Sequence, residues 1–356
     1  DRIFIGRAVG PVGIAGISVA FPMMVILMAF GMLIGIGATS LISIRLGQQR
    51  RDEAEKVMGN AFALFVMVSF VLTFAGLAFI EEILLMFGAS EEILPHSKEY
   101  LEIILMGTVF QCIGFGMNNF IRGEGNPNTA MSTMLIGAFL NIVLDPVFIF
   151  WLDMGIRGAA IATVISQAVS SVLVLRYFLF GSSLLKIRLR AFRLERRIVL
   201  GILAIGSAPF AMQLASSVIV SLFNHQLRIY GGTIALSVMG IMFSILMLIL
   251  MPVVGISQGA QPIIGYNCGA GNFERVVRTV RLAALVATGV TLTGFIISML
   301  FPARIIGLFS SNDAELIAMG GHALRVFFAM LPIIGFQIVG ANYFQAVGKP
   351  RQAIFL

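Results

Sequence analysis

Apolar runs long enough to cross a lipid bilayer recur along the whole chain. A helix needs about 20 apolar residues to span the hydrocarbon core. Hydrophobic residues make up 58% of this sequence and charged residues only 12%, whereas soluble domains carry about 45–50% and about 25%. The fold class predicted is an all-α polytopic membrane protein. The predicted helices are 14–44, 57–80, 100–121, 130–151, 157–180, 198–228, 233–265, 277–301 and 320–346.

The net charge of +7 does not by itself indicate a nucleic-acid partner. The basic residues lie in loops between apolar segments, and no polar domain gathers them. Cys112 and Cys268 lack CxxC spacing and are interpreted as structural thiols. The three histidines are scattered, so no zinc-type site and no cofactor are predicted.

The basic residues predict which loops face the cytoplasm. Most of the 24 Lys and Arg residues fall in one set of alternate loops, and the positive-inside rule places that set inside the cell. The protein is thus predicted in the cell membrane, with loops 45–56, 122–129, 181–197, 267–276 and 347–351 cytoplasmic. The basic stretch 186–197 is interpreted as an orienting and lipid-contacting loop.

The two halves of the chain resemble each other. The segment "GATSLISIRLG" aligns with "GAQPIIGYNCG", pairing Gly37 with Gly259. At nearly the same offset, "NNFIRGEGNPNTA" aligns with "ANYFQAVGKPRQA", pairing Pro127 with Pro350. Both matches lie in loops predicted on one side, which indicates a parallel repeat with an even number of helices. Parallel repeats are a transporter architecture.

The repeat also predicts the domain organisation. Completing it requires two parallel-related six-helix lobes, twelve helices in all, so this chain is expected to lack most of helix 1 and helices 11 and 12. The N-terminal lobe is predicted at 1–185, the basic inter-lobe loop at 186–197, and the C-terminal lobe at 198–356.

One acidic residue lies inside the apolar run "GAFLNIVLDPVFIFW". An acid at this depth is costly and usually faces a functional cavity. Asn141 precedes Asp145 by four residues, which puts both on one helix face. Counting through the short loop that follows places Thr163 at the same depth as Asp145, and Asp1 lies near its own external loop. These oxygen-bearing groups suit a proton or a small hard cation such as Na⁺. The alternative is a neutral structural acid hydrogen-bonded to Asn141.

Several motifs together resemble the multidrug and toxic compound extrusion (MATE) family. They are Asp1 with Gly6, "FIRGEGNP", "NIVLDPVFIF", "GIRGAAIATVIS" and "GISQGAQPIIGYNCGAGNFER". The resemblance implies two six-helix lobes that alternate between inward and outward openings, and antiport of cationic or amphipathic drugs and toxic compounds against H⁺ or Na⁺. It also implies that Asp1, Asn141, Asp145 and Thr163 form the ion-coupling cluster. The predicted C-lobe helices contain no acid, as in the DinF-like branch.

Candidate substrate contacts come from polar and methionine-rich stretches inside apolar segments. Asn118 and Gln213 are polar residues within such segments, and "VMGIMFSILMLILM" offers Met239, Met242 and Phe243 as a polarizable lining. The alternative for the methionine-rich stretch is ordinary core and lipid-facing surface. The expected partners are small organic cations or amphipathic compounds and membrane lipid, with the protein acting as a monomer.

Two other functions compete with ion-driven efflux. A flippase for a lipid-linked saccharide is favoured by a basic cavity, but each Lys and Arg lies near a helix end or in a loop. An intramembrane enzyme with Asp1 and Asp145 as a catalytic pair has no use for two equivalent halves. The sequence also shows no nucleophile, metal-ligand or nucleotide-loop motif. The protein is therefore predicted not to be an enzyme.

Overall fold

The fold is a bundle of long helices, seen here in a computed structural model that describes residues 4–5, 8–9, 11–307 and 314–355. Every regular element within these ranges is helical. The helices are α1 Pro11–Gly47, α2 Arg51–Ala78, α3 Ile80–Met86, α4 Leu94–Met106, α5 Thr108–Gly123, α6 Pro127–Pro146, α7 Gly155–Phe180, α8 Arg196–Gly269, α9 Phe273–Leu300, α10 Pro302–Gly307, α11 Ala314–Phe327, α12 Leu331–Ala346 and α13 Pro350–Phe355. A π-helical turn, Val147–Trp151, follows α6, and a 3₁₀ turn, Leu189–Phe192, precedes α8.

The polytopic architecture predicted from the apolar runs is confirmed. Seven helices in the described ranges are long and apolar enough to cross a membrane, and two further bent pairs raise the number to nine. The structure differs at 229–232, where a break was predicted, because the backbone stays helical through the whole of α8. Glycines at 231 and 232 weaken a helix without forcing it to end, since each still has its own N–H and carbonyl.

Two predicted spans are bent rather than straight. The span predicted at 100–121 consists of α4 and α5, which meet at 54° around Gly107. A Cβ on Gly107 would lie 2.5 Å from the Val164 side chain of α7, so glycine permits this close approach. The span predicted at 320–346 bends by 46° before α12, where Pro332 occupies the first turn. Proline cannot continue a preceding helix, which accounts for that break.

The chain folds into two compact units, residues 1–213 and 214–356. The division falls within α8. The lobe boundary at 186–197 stays a prediction. In the first unit, buried side chains from α1, α2, α5 and α7 pack around Phe65 and Phe120. A second cluster packs around Tyr100 and Leu101 of α4. In the second unit, one cluster packs around Phe328 and another joins α8, α9 and α12.

Glycines bring several helices of the first unit into backbone contact. A Cβ on Gly35 of α1 would lie 3.2 Å from the Cα of Gly116 in α5. Gly37 of α1 lies against the carbonyl of Ile202 in α8, and Gly206 of α8 lies against the carbonyl of Leu33. These contacts fix α1 against two neighbours and leave a space on the side of α6 and α7.

Candidate functional site

The last turns of α6 hold the buried acid that the sequence singled out. Asp145 is only 1% exposed. It is followed by Pro146, which removes one backbone donor, and then by the π-helical turn Val147–Trp151. Single π turns inside helices occur frequently at functional sites. Gly158 of α7 packs against the backbone of Phe148, so the two helices approach closely just beyond the acid.

Three of the four predicted coupling residues are brought together. The Asn141 amide Nδ2 donates to Asp145 Oδ1 over 3.2 Å and to Thr163 Oγ1 of α7 over 3.5 Å. The four-residue spacing on α6 and the short connection to α7 produce this arrangement. Asp1, the fourth predicted residue, lies outside the described residues. The cluster therefore presents a carboxylate, an amide and a hydroxyl at one level of the first unit.

A cavity of about 310 Å³ lies between α1, α5, α6 and α7 and reaches this cluster. Asn141 and Thr163 form part of its wall. The other lining residues are Met28, Phe110, Gln111, Gly114, Phe115, Asn118, Thr133, Met134, Gly137, Ala138, Ser166, Gln167, Ser170 and Val174. Its volume lies at the small end of the about 300–1,000 Å³ typical of small-molecule sites.

Two cavity residues were missed by the sequence reasoning. The side-chain oxygens of Gln111 in α5 and Gln167 in α7 are buried and have no hydrogen-bond partner within the described structure. A buried acceptor without a partner is costly, so such atoms usually meet a ligand or water. The signal was present in the sequence, because both glutamines lie within apolar spans, as Asn118 does.

Asn118 lines the cavity, but its polar atoms are already used by the protein. Its Nδ2 donates to the Ala130 carbonyl and to Thr133 Oγ1, both over 2.8 Å. Its Oδ1 accepts from Arg122 over 3.1 Å. Asn118 therefore braces α5 against α6 and places Thr133 at the cavity wall.

The remaining substrate candidates lie elsewhere. Gln213 is in α8 at the end of the first unit. Met239 and Met242 are 3% and 5% exposed within the core cluster around Phe328 in the second unit. Phe243 packs edge-to-face on Phe327 with ring centroids 5.9 Å apart. The two methionines are core residues of their own unit, Phe243 packs against that core, and none of the three belongs to the wall of the 310 Å³ cavity as the structure describes it.

The arrangement in the first unit suits binding of small cations beside an organic ligand. Carboxylate, amide and hydroxyl oxygens hold a proton or a hard cation. The adjoining wall adds carboxamide side chains among aromatic and methionine side chains, and no Lys or Arg appears among its described residues. Among the residues that the structure describes, no group of three or more His, Cys, Asp or Glu could hold a metal ion.

Comparison with known proteins gives a consistent picture. Over 347 residues, the chain is 28% identical to the "Multidrug export protein MepA" of Staphylococcus saprophyticus, covering 96% of this chain and 75% of that protein. A solved structure described as "Structure of MATE multidrug transporter DinF-BH in complex with R6G" is 40% identical. It matches with a TM-score of 0.91 over 100% of this chain and 79% of its own. Another, "Crystal structure of MATE in the bent conformation", is 28% identical with a TM-score of 0.93, over 99% and 78%.

The family assignment rests on most of the sequence. The family model described as MatE matches residues 1–147 and 207–356, which include the buried acid of α6 and both halves of the internal repeat. The motif resemblance that pointed to the same family is therefore confirmed. The chain belongs to the MatE family.

Proposed function

We propose that this protein is a secondary active antiporter that exports cationic or amphipathic compounds in exchange for H⁺ or Na⁺ by alternating access. Its support is the family, together with relatives named as multidrug exporters and transporters. The parallel repeat in the sequence supports it further, because two equivalent halves suit a protein that opens alternately to each side.

The observation that carries the proposal is the shared wall between the buried acid cluster and the cavity. Asn141 hydrogen-bonds Asp145 and Thr163, and both Asn141 and Thr163 line the cavity. Loading the cluster with a cation changes the charge at the edge of the space that holds the substrate. A cation that binds one conformation of the first unit better than another shifts the equilibrium between them. Ion entry and substrate release are thereby linked, and Asp1 remains a predicted member of the cluster.

The cavity suggests how an organic cation is held. Gln111 and Gln167 contribute carboxamide side chains to the wall, and Phe110, Phe115 and Met28 offer apolar and polarizable surface. Adaptable apolar walls suit a transporter of varied compounds. The DinF-BH structure contains R6G, which makes that dye a suitable first probe here. Asn118, Gln213, Met239, Met242 and Phe243 remain candidate contacts to be tested beside the cavity residues.

The flippase alternative receives no support from this cavity. A lipid-linked saccharide carries anionic phosphate, which calls for Lys or Arg. The lining residues that the structure describes include neither.

The test is Asp145→Asn in the full-length protein reconstituted into proteoliposomes. We expect ion-driven efflux of R6G to fall at least about tenfold, because the amide cannot titrate and binds a cation more weakly. The matched control is Asp153→Asn, an exposed acid in the loop after α6. Asp153 has a positive φ of 51°, which asparagine tolerates. Efflux at the wild-type rate in Asp145→Asn would refute the coupling role.

The driving ion and the orientation are measured in the same preparation. Imposing a Na⁺ gradient at constant pH, and then a pH gradient without Na⁺, identifies the ion that drives export. Cysteines placed in loops 122–129 and 267–276 should react with an impermeant maleimide only from the cytoplasmic side, as the positive-inside rule predicts. Size-exclusion chromatography with light scattering tests the expected monomer.

A further inference from the structure

The segment of residues 181–195, which joins α7 to α8, is tied to the first unit along its length. We name it the clasp segment. The sequence interpreted its basic part as an orienting loop in contact with lipid. In the structure, polar side chains from α2 and from the turn between α5 and α6 bind its backbone at three successive points. Connecting loops usually run freely over the surface, so three dedicated anchors require an explanation.

The first anchor is Glu124, in the turn after α5. Its Oε2 accepts from Ser183 Oγ over 2.8 Å and from the backbone N–H groups of Leu184 and Leu185 over 3.1 and 3.3 Å. Ser183 Oγ also accepts from the Leu185 N–H over 3.0 Å. These bonds place Leu185, which is 0% exposed, in the core beside α2 and α7, while Leu184 remains 52% exposed.

The second anchor is Glu55 of α2, a carboxylate that is only 2% exposed. Its Oε1 accepts from the Lys186 backbone N–H over 3.2 Å, and its Oε2 forms an ion pair with Arg188 Nε over 2.9 Å. A buried carboxylate is tolerated when charged and hydrogen-bonding partners surround it. Two of those partners here belong to the clasp segment, and Arg51 of α2 lies 3.5 Å away as well.

The third anchor is Asn60 of α2, which is 1% exposed. Its Nδ2 donates to the carbonyls of Ala191 and Arg193 over 3.2 and 3.1 Å. Its Oδ1 accepts from the Glu195 N–H over 2.7 Å. The preceding residue is Gly59, where a Cβ would lie 2.5 Å from the Ala191 oxygen, so the chain fits against α2 because a side chain is absent.

Two side-chain contacts add to the three anchors at the end of the clasp segment, directly before α8. Glu195 immediately precedes the first residue of α8, and its carboxylate pairs with Lys56 over 3.2 Å. Phe192 stacks on Phe62 of α2 with ring centroids 5.2 Å apart. The residues directly before α8 are therefore held to α2 by backbone, aromatic and ionic contacts together. The start of α8 is therefore expected to move together with α2, whereas a flexible linker would let the two helices move independently.

We infer that the clasp segment stays seated on α2 throughout the transport cycle. Glu55, Asn60 and Glu124 act as positioning residues that make the start of α8 move with the first unit. The inference deepens the proposed function, since it concerns how a change in the ion-binding unit is passed to the helix that continues into the second unit. Packed elements with fixed contacts transmit discrete movements of this kind.

Cysteine reactivity tests the inference directly. Leu185→Cys and its exposed neighbour Leu184→Cys are each made in full-length protein whose Cys112 and Cys268 are replaced by alanine. Both are labelled with N-ethylmaleimide, at rest and during R6G export under an ion gradient. We expect Cys at 185 to react at least about tenfold more slowly than Cys at 184 in both conditions, as buried sites do without local opening. A ratio that falls to about one during turnover would overturn the inference.

Efflux measurements test the role of the anchors. In Glu55→Ala/Asn60→Ala, we expect R6G efflux to fall about tenfold while R6G affinity stays within about twofold, because the clasp segment lies outside the binding cavity. The control is Glu53→Ala on the same helix, since Glu53 pairs only with Arg45 and Arg50 among the described ion pairs. Glu55→Gln keeps an acceptor for the Lys186 N–H, so this variant should export R6G faster than the double variant.

The two proposals fail differently. An equal loss of affinity and efflux, or full efflux with a reactive Cys at 185, would contradict the positioning role. If wild-type protein exports no R6G under either gradient, the proposed function fails instead. The labelling ratio at rest then still tests the inference, because a ratio near one would show that the clasp segment is not seated on α2. Should the double variant not fold, the Leu184→Cys and Leu185→Cys proteins, which keep all three anchors, still test whether the clasp segment stays seated.

Discussion

The crossing of α1 and α8 gives a prediction that the structure quantifies. Gly206 of α8 lies against the backbone carbonyl of Leu33 in α1, closer than a side-chain carbon allows. Gly201, five residues earlier in the same helix, lies near only the flexible end of Leu41, where a Cβ would be 3.3 Å from Cδ1. The same substitution, glycine to alanine, therefore has opposite expected effects at these two sites.

The expected magnitudes follow from two competing terms. Alanine is more favourable than glycine in a helix by up to about 1 kcal/mol. Overpacking a tight contact costs about 1–3 kcal/mol, because backbone must move. Gly206→Ala is therefore expected to lose up to about 2 kcal/mol of unfolding free energy, since the Leu33 carbonyl cannot rotate away. Gly201→Ala is expected to gain up to about 1 kcal/mol, because the Leu41 end can shift.

Thermal unfolding of the detergent-solubilised full-length protein measures the difference. At about 2–4 °C per kcal/mol for a unit of this size, Gly206→Ala should lower the apparent Tm by up to about 8 °C. Gly201→Ala should leave it unchanged or raise it by up to about 4 °C. Equal shifts for the two variants would show that helix propensity, and not the close crossing, governs this part of the fold.

Two further predictions test polar groups at helix ends. Thr73→Val removes the hydroxyl that donates over 2.7 Å to the Leu105 carbonyl beside the α4–α5 bend, and it should cost about 1 kcal/mol of unfolding free energy. Thr279→Val is the control, because its hydroxyl bonds within its own exposed helix turn, and it should leave the Tm nearly unchanged. Equal losses would contradict the interhelical role of Thr73. Burial raises the pKa of Glu124, although Tyr177, Ser183 and two backbone N–H donors oppose the shift. A folded pKa above the unfolded value contributes stability that is present below the unfolded pKa and is lost as pH rises through the folded one. The Tm of wild type relative to Glu124→Gln should therefore fall as pH rises above the ordinary carboxyl range, and a difference independent of pH would refute the shift.

The buried acid cluster shows how far sequence reasoning reaches into a membrane site. Asp145, Asn141 and Thr163 were grouped from helix periodicity and from equal distances to one short loop, and the hydrogen bonds join them. The grouping succeeded because antiparallel neighbours joined by a short loop have their depths set by residue count. The role of the cluster remains a proposal that the Asp145→Asn experiment decides.

The cavity wall was less accessible to the same reasoning. Gln111 and Gln167 stand in apolar spans of the sequence, yet nothing local indicates that both side chains line one cavity. Asn118 was chosen as a substrate contact for its polarity, whereas the structure shows its amide engaged by Ala130, Thr133 and Arg122. Whether a polar side chain has hydrogen-bond partners depends on residues of other helices. The hydropathy of the sequence does not identify those residues.

The sequence by itself determined the membrane class, most of the helical spans, the family and the proximity of Asn141, Asp145 and Thr163. Each of these depends on local quantities: the apolar length needed to cross a bilayer, the helical period and the identity of short motifs. Only the tertiary structure decided the bends at Gly107 and before α12, the continuity of α8, the crossing at Gly206 and the seating of residues 181–195 on α2. These features arise from contacts between residues far apart in the chain, whose free energy exists only when both partners are placed. The residue type, such as glycine or glutamate, therefore limits the contacts that a position can make. The residues that pack against it in the folded protein determine which of those contacts form.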